Sequence, residues 1–326
     1  MGWWTDRGSC GSAGRWGSSI AATLPIVLPI FALILVGFGV RRAGIFGAHA
    51  TAELNRFVVM LALPALLLDV TAHATWATFD QPGFVVVYGG SSLLVFGLGV
   101  WLRRRRGLAD AALDGLDAGY ANAGFIGFPL CLAVFGPASL APTTIGMILT
   151  VCVLFAVGIV VIELGLQVDA RPGRLAALVV GRLARNPLVM APVLGGMLAA
   201  LGVGLPVGVV GFLKLLGDAA APCALIALGL FLAERRSGAR DGRAVLLFVA
   251  MKLFLHPAVA WGLAWLVGLP PLLGHIAVVL AALPTGTGPF MLAEYYRREA
   301  GVTARAILLS TILSVFTVSA YLAWIS

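Results

Sequence analysis

Leu283-Pro284-Thr285-Gly286-Thr287-Gly288-Pro289-Phe290 lies inside the apolar run 272–295 and interrupts it. Proline lacks the N–H that a helix interior requires and glycine weakens a helix, so two prolines bracketing two glycines and two threonines predict unwound backbone in mid-run. A second interruption occurs in the run 113–134, within Asp117-Ala-Gly-Tyr120-Ala-Asn122-Ala-Gly124-Phe-Ile-Gly127-Phe-Pro129-Leu130. Both runs are long enough to cross a bilayer, for which about 20 apolar residues suffice. Unwound backbone at membrane depth is tolerated only against protein or a water-filled cavity. Each break leaves free N–H groups at the start of one half-helix, and helix N-termini attract anions. Asn122, Gly124, Gly127 and Pro129 in one break, and Pro284, Thr285, Thr287, Gly288 and Pro289 in the other, are therefore the candidate substrate-binding positions. The plainer alternative is a pair of kinked helices packed on small residues.

The two interruptions occupy equivalent positions in an internal repeat. Pro29 to Val40 matches Pro192 to Val203, Leu63-Pro64-Ala65-Leu66 matches Ala221-Pro222-Cys223-Ala224, Gly127-Phe128-Pro129 matches Thr287-Gly288-Pro289, and Ile148-Leu149-Thr150 matches Leu308-Leu309-Ser310. The offsets are 163, 158, 160 and 160 residues, nearly constant along the chain. Ten apolar runs fill it, at roughly 20–40, 54–72, 83–102, 113–134, 141–166, 186–203, 207–233, 244–268, 272–295 and 302–325. The expected fold is an all-α integral membrane protein of ten transmembrane helices in two five-helix repeats. Five is odd, so the second repeat is inverted. Residues 1–19 form an extracytoplasmic polar tail, 20–166 the first repeat, 167–185 a cytoplasmic linker and 186–326 the second repeat. Inverted repeats with Gly/Pro-interrupted spans at matching positions are a signature of secondary transporters.

Composition leads to the same class. Among 326 residues, 60% are hydrophobic and 11% charged, with a mean hydropathy of +1.02. Soluble chains are about 25% charged. The net charge of +8 would suggest nucleic acid in a soluble protein, but the arginines are clustered between apolar runs. Arg41, Arg42 and Arg56, then Arg103 to Arg106, then Arg171, Arg174, Arg182 and Arg185, then Arg235, Arg236, Arg240 and Arg243, then Arg297, Arg298 and Arg305 all fall on odd-numbered loops. Those loops are expected to be cytoplasmic and both termini extracytoplasmic, in an inner cell membrane. The scattered cysteines Cys10, Cys131, Cys152 and Cys223 suggest neither a disulfide framework nor a metal site. No cofactor and no nucleic-acid partner is expected.

Charges within spans are functional candidates by default. Lys252 and His256 share a helix face in the eighth span, about 12 and 18 Å along it at 1.5 Å per residue. There Lys252 would attract a carboxylate and His256 would serve as donor or proton carrier; snorkelling of Lys252 and a backbone bond from His256 are the bland alternatives. Lys214 and Asp218 are expected to neutralise each other. Asp69, Glu163 and Glu294 are expected at solvated span ends. Asp110 and Asp114 are expected to pair with the Arg103 to Arg106 cluster, and Asp117, one turn deeper, is the proton-coupling candidate.

Several segments carry a resemblance. Asn55-Arg56-Phe57 with Leu61 to Leu66, Asn122 to Leu130, Asn186-Pro187-Leu188, and Leu283-Pro284-Thr285 through Ala293-Glu294-Tyr295 are similar to the auxin efflux carrier family along about residues 20–326. The resemblance implies that helices four and nine cross at their breaks. It also implies that spans one, two, six and seven form a scaffold, which would support a homodimer, and that the other six form a moving transport bundle. Bacterial members resemble carriers of small carboxylates such as malate or malonate, and plant members move auxin. Many members have an Asn in span nine where this chain has Gly288-Pro289, so Thr287 and backbone groups would serve instead.

The function expected is alternating-access transport of a small organic anion, of elevator type, with a coupling proton or the membrane potential as energy source. A membrane-embedded lipid- or isoprenoid-modifying enzyme is the alternative, suggested by Asp110, Asp114 and Asp117. It lacks the second aspartate cluster that pyrophosphate-binding magnesium would need, and no HExxH, GxSxG or P-loop occurs. A channel does not require paired broken helices.

Overall fold

The computed structural model describes residues 28–47, 49–73, 81–167, 180–181, 184–234 and 241–325. The expected polar tail, the start of the first span, most of the 167–185 linker, and Arg171, Arg174, Arg182, Arg235, Arg236 and Arg240 lie outside the described residues. Among those described, the structure is helical, with one isolated β-bridge and no strand.

In chain order the helices are α1 (28–42), α2 (Ala50–Ala72), α3 (Pro82–Arg106), α4 (Leu108–Gly119), α5 (123–135, its first turn π-helical), α6 (Pro137–Gly165), α7 (Pro187–Ala200), α8 (Val207–Ala233), α9 (Gly242–Val267), α10 (Pro271–Ala282), α11 (Gly288–Tyr295) and α12 (Gly301–Ile325). Proline occupies the first or second position of α3, α6, α7, α10 and α11, where its missing N–H costs nothing and its fixed φ suits the helix. Among the described residues, six helices are long and apolar enough to cross a membrane: α2, α3, α6, α8, α9 and α12. α7 and α10 are apolar but shorter. α4 with α5, and α10 with α11, are pairs of half-helices separated where the sequence predicts interruption.

Packing sorts the helices into two groups. α7 and α8 lie along α2, with Gly195 so close to Thr71 and Leu68 that a side chain there would overlap them. α1 joins this group through Gly37 and Gly229, which face the backbones of α8 and α1. The second group forms around α4, which packs along α3, α6, α9 and α12. A Cβ at Gly115 would lie 2.7 Å from the Phe96 carbonyl, and one at Gly119 2.9 Å from the Ser92 carbonyl. Small residues at helix contacts let backbones approach closely in apolar surroundings, and this approach seats α4 deep in the group.

Contacts between the groups are fewer and involve α11. Asn55 Nδ2 donates to the Met291 carbonyl at 3.1 Å, and the Phe231 and Phe290 rings meet edge to face at 5.1 Å. Asn186 caps α7 by accepting the Leu188 N–H at 3.0 Å, and its amide reaches the Tyr296 hydroxyl at 3.5 Å. Two motifs that carried the family resemblance, at Asn55 and Asn186, thus meet the α11 segment from the other group.

Candidate functional site

The two breaks meet. Leu283 is extended (φ −60°, ψ 153°) because Pro284 follows it and excludes the helical region, and Tyr120 is likewise extended (φ −83°, ψ 102°). The extended segments run antiparallel, bridged at Ala121 and Thr285. Asn122 N–H donates to the Pro284 carbonyl at 2.9 Å, and Gly286 N–H to the Tyr120 carbonyl at 3.1 Å. Thr285 adds two bonds, its hydroxyl donating to the Asp117 carbonyl at 2.8 Å and its N–H to Ser310 Oγ at 3.1 Å. Backbone groups that would cost several kcal/mol if left unpaired in a membrane interior are thus satisfied across the crossing.

The crossing depends on small residues. A Cβ on Gly288 would lie 2.6 Å from Tyr120 Cζ, and one on Gly286 2.8 Å from Tyr120 Cε1. The Tyr120 ring rests on Phe155, with centroids 5.6 Å apart. On the other side, Gly127 faces Leu280 and Leu283, and Gly124 faces Met147. Asn122, Thr285 and Thr287 are all buried at 6% exposure or less, and Pro284, Gly288 and Pro289 are buried beside them, whereas Pro129 is exposed.

Lys252 and His256 are fully buried and belong to a polar chain ending at the same crossing. Lys252 Nζ donates to the Ala281 carbonyl at 2.5 Å and approaches His256 Nδ1 at 3.0 Å; His256 Nε2 lies 3.2 Å from Ser92 Oγ. Ser92 spends its only proton on the Tyr88 carbonyl, so it accepts from His256 Nε2–H, leaving Nδ1 to accept from Lys252. Tyr88 continues the chain to Thr150, hydroxyl to hydroxyl at 2.8 Å. Lys252 sits in a wide π-helical turn, Met251–Leu255, a feature frequent at functional sites. Ala281 is next to last in α10, so Nζ sits where the helix dipole is negative. Snorkelling is thereby excluded.

Other charges depart from expectation in particular ways. Asp114 pairs with Arg103 and Arg106 as expected, at 3.1 and 3.0 Å, but Asp110 pairs with Arg298, far away in sequence. Glu163 is buried rather than solvated, because Tyr296 covers it and donates its hydroxyl at 2.8 Å. Burial and that bond push the Tyr296 hydroxyl's pKa up, which keeps it a donor. Lys214 and Asp218 are both exposed, and no ion pair joins them among the described residues. Asp117 is fully buried and accepts from Thr303 Oγ1 at 2.8 Å.

Sequence reasoning did not single out Tyr120, Ser310, Thr303, Ser92, Tyr88 or Thr150 as site residues. A signal existed for two of them. The expected repeat aligns Thr150 with Ser310; the Thr150 hydroxyl meets Tyr88 and the Ser310 hydroxyl accepts the Thr285 N–H. The others are found only through partners on distant helices. No cluster able to hold a metal occurs among the described residues.

Comparison with known proteins follows the same lines. The model of the family described as "Membrane transport protein" matches residues 23–322. A Rhizobium meliloti (strain 1021) protein named "Putative malonate transporter" is 31% identical over 305 residues, covering 91% of this chain and 94% of that one. An "Uncharacterized transporter" of Methanothermobacter thermautotrophicus is 27% identical over 297 residues, covering 88% and 93%. "Auxin efflux carrier component 2" of Oryza sativa subsp. japonica is 29% identical over 138 residues, 41% of this chain and 22% of its own length. A family match across nearly the whole chain, with relatives that are transporters rather than enzymes, means that this multi-pass membrane protein belongs to the auxin efflux carrier family of membrane transport proteins.

Proposed function

We propose that the chain is a secondary carrier that binds a small organic carboxylate at the crossing of the two breaks and moves it by an elevator-type alternating-access mechanism. The single observation that carries this reading is the crossing itself, two half-helix pairs bonded to each other through Ala121 and Thr285. α5 and α11 begin at the crossing and α4 and α10 end there, so two positive and two negative dipole ends converge at one point. Asn122 and Thr287 place polar side chains at these helix ends, and the Lys252 ammonium at the α10 end favours an anion nearby. Ten crossings arranged as two inverted halves follow from treating each half-helix pair as one span, and the repeat offsets support that arrangement.

The group containing α1, α2, α7 and α8 is the scaffold in this reading, and the group around the crossing is the moving body. The scarcity of contacts between them favours sliding of one against the other. The arginine-rich odd loops face the cytoplasm in an inner membrane, and the exposed apolar faces of the scaffold helices suit a homodimer. Malonate is the first substrate to test, because a relative sharing most of the chain's length carries that name. The driving force is a proton gradient or the membrane potential.

The test is uptake by proteoliposomes of labelled mono- and dicarboxylates, with and without an imposed pH gradient. Saturable uptake of at least one carboxylate, competed by its analogues, is expected. Absence of uptake across the panel by well-folded protein, or hydrolysis or alkylation of a lipid with no solute movement, would refute the carrier reading.

A further inference from the structure

Asp110, Asp114 and Asp117 lie along α4 toward the crossing, and their surroundings differ. Asp110 has Arg298 and Asp114 has Arg103 and Arg106. Asp117 is fully buried in the last turn of α4, its Oδ2 accepts only from Thr303, and its Oδ1 has no partner among the described residues. A buried carboxylate held by one neutral hydroxyl is among the costlier arrangements in a protein interior. The nearby N-terminus of α12 gives no relief, because the Gly301 and Val302 N–H groups are bonded to Glu299. The Asp117 main chain is tied to the second break, its carbonyl accepting the Thr285 hydroxyl.

We infer that the Asp117 carboxyl, seated on Thr303, binds a proton that is carried together with the substrate anion. The inference rests on the carrier reading above and assigns its coupling ion. The step is proton exchange without redox change: a carboxylate oxygen takes H⁺ from water on one side, becomes the neutral acid, and returns H⁺ on the other. Charge moved through a bilayer interior is costly. A body carrying both ionised Asp117 and a bound carboxylate would hold two negative charges close to one crossing, against the single positive charge that Lys252 can offer. One proton removes the repulsion. An alkali cation is disfavoured because hard cations take many oxygen ligands, and the groups here are one carboxyl and a hydroxyl already donating to it.

Most titratable groups on the elements packed against α4 are engaged elsewhere or add negative charge, and among the described residues none of them bonds to the Asp117 carboxyl. On α3 and its end, Arg103 and Arg106 serve Asp114, and Arg103 also serves Asp241 at 3.0 Å. On α6, Glu163 serves Tyr296. On α9, Lys252 serves Ala281 and His256, and Arg243 lies in its first turn. The remaining ones are Tyr88, Arg104 and Arg105 on α3, Cys152 on α6, Glu294 and Tyr295 on α11, Glu299 before α12, and Arg305 and Tyr321 on α12, with Asp110, Asp114 and Tyr120 on the same segment as Asp117.

The test uses the full chain in liposomes clamped at zero potential, with labelled malonate and the rest of the carboxylate panel as probes. Wild type should take up substrate severalfold faster with acid outside, and a protonophore should abolish the difference. Asp117→Asn should keep substrate exchange at equal pH and lose all acceleration by the gradient. Asp117→Glu and Thr303→Val should keep acceleration with a shifted pH midpoint. Wild-type acceleration in Asp117→Asn, or acceleration by a sodium gradient in place of a proton gradient, overturns the assignment. If Asp117→Asn fails to fold, unchanged pH midpoints in both Asp117→Glu and Thr303→Val overturn it. Infrared difference spectra of the solubilised protein separate this inference from the carrier reading. A carboxylic-acid C=O band that titrates in wild type and shifts in Asp117→Glu supports the proton site even if no substrate moves, and its absence overturns the site even if transport occurs.

Discussion

Adding one methyl group at Gly288 tests the geometry of the crossing directly. The Cβ of Gly288→Ala would lie 2.6 Å from Tyr120 Cζ, 2.8 Å from its hydroxyl oxygen and 3.0 Å from Phe155 Cε2. These separations are shorter than ordinary van der Waals contact by 0.5 to 1 Å, roughly the scale at which packing repulsion becomes severe. The ring has nowhere to go: Tyr120 is 5% exposed and Phe155 blocks its far face. Overpacking of this kind costs about 1–3 kcal/mol, or roughly 5- to 150-fold in the population of the crossed arrangement. Gly288→Ala should therefore lower thermal stability in detergent and slow substrate exchange in liposomes. Combination with Tyr120→Leu, which shortens the side chain, should recover much of both losses, a coupling that a general helix-propensity effect would not produce. Gly208→Ala and Gly211→Ala serve as controls, because nothing lies within 4 Å of a Cβ at either position, and both should be neutral or slightly stabilising. If Gly288→Ala matches wild type in stability and exchange, or if Tyr120→Leu gives no rescue, the packed crossing is wrong.

Lys252→Met should leave the Ala281 carbonyl and His256 Nδ1 without their donor, a loss of about 1–3 kcal/mol for a buried unsatisfied group. Reduced thermal stability together with loss of carboxylate uptake is expected, and wild-type uptake would remove Lys252 from the site. At the cytoplasmic end, Asp241 accepts the Ala244 N–H and pairs with Arg103, and these hold its carboxyl below its ordinary value of 3.8. A depressed folded-state pKa contributes stability that is present above that ordinary value and is lost as pH falls through the lower folded one. Asp241→Asn should thus lower melting temperature slightly at neutral pH and converge with wild type in strong acid. An equal difference at every pH would refute the assignment.

Part of the site was legible because local chemistry writes it. Pro284 excludes helix at Leu283 whatever surrounds it, and the Gly- and Pro-rich stretch 117–130 marked the first interruption, although the unwound residues are Tyr120 to Asn122 and Gly127-Phe-Pro129 lies within continuous helix. The Asp114 pairs were also legible, since Arg106 is close in sequence. Asp110 was not, because its partner Arg298 lies across 188 residues of chain. Glu163 was misread for the same reason: a glutamate at the end of an apolar run is ordinarily solvated, and nothing near it in sequence announces that Tyr296 will cover it.

By itself, then, the sequence determined where the helices run and where two of them break, because proline, glycine and hydrophobic length act on each segment alone. It also determined on which loops the arginines gather. Only the tertiary structure decided that the two breaks bond to each other through Ala121 and Thr285. Only there does Lys252 end on the last turn of α10, and only there does Asp117 keep one carboxyl oxygen unpaired while Asp110 and Asp114 take Arg298, Arg103 and Arg106. The physical reason is that hydrogen-bond partners and burial are properties of distant helices brought together, and in a chain this apolar the same residue can be exposed to lipid or sealed in the core without any change in its local pattern.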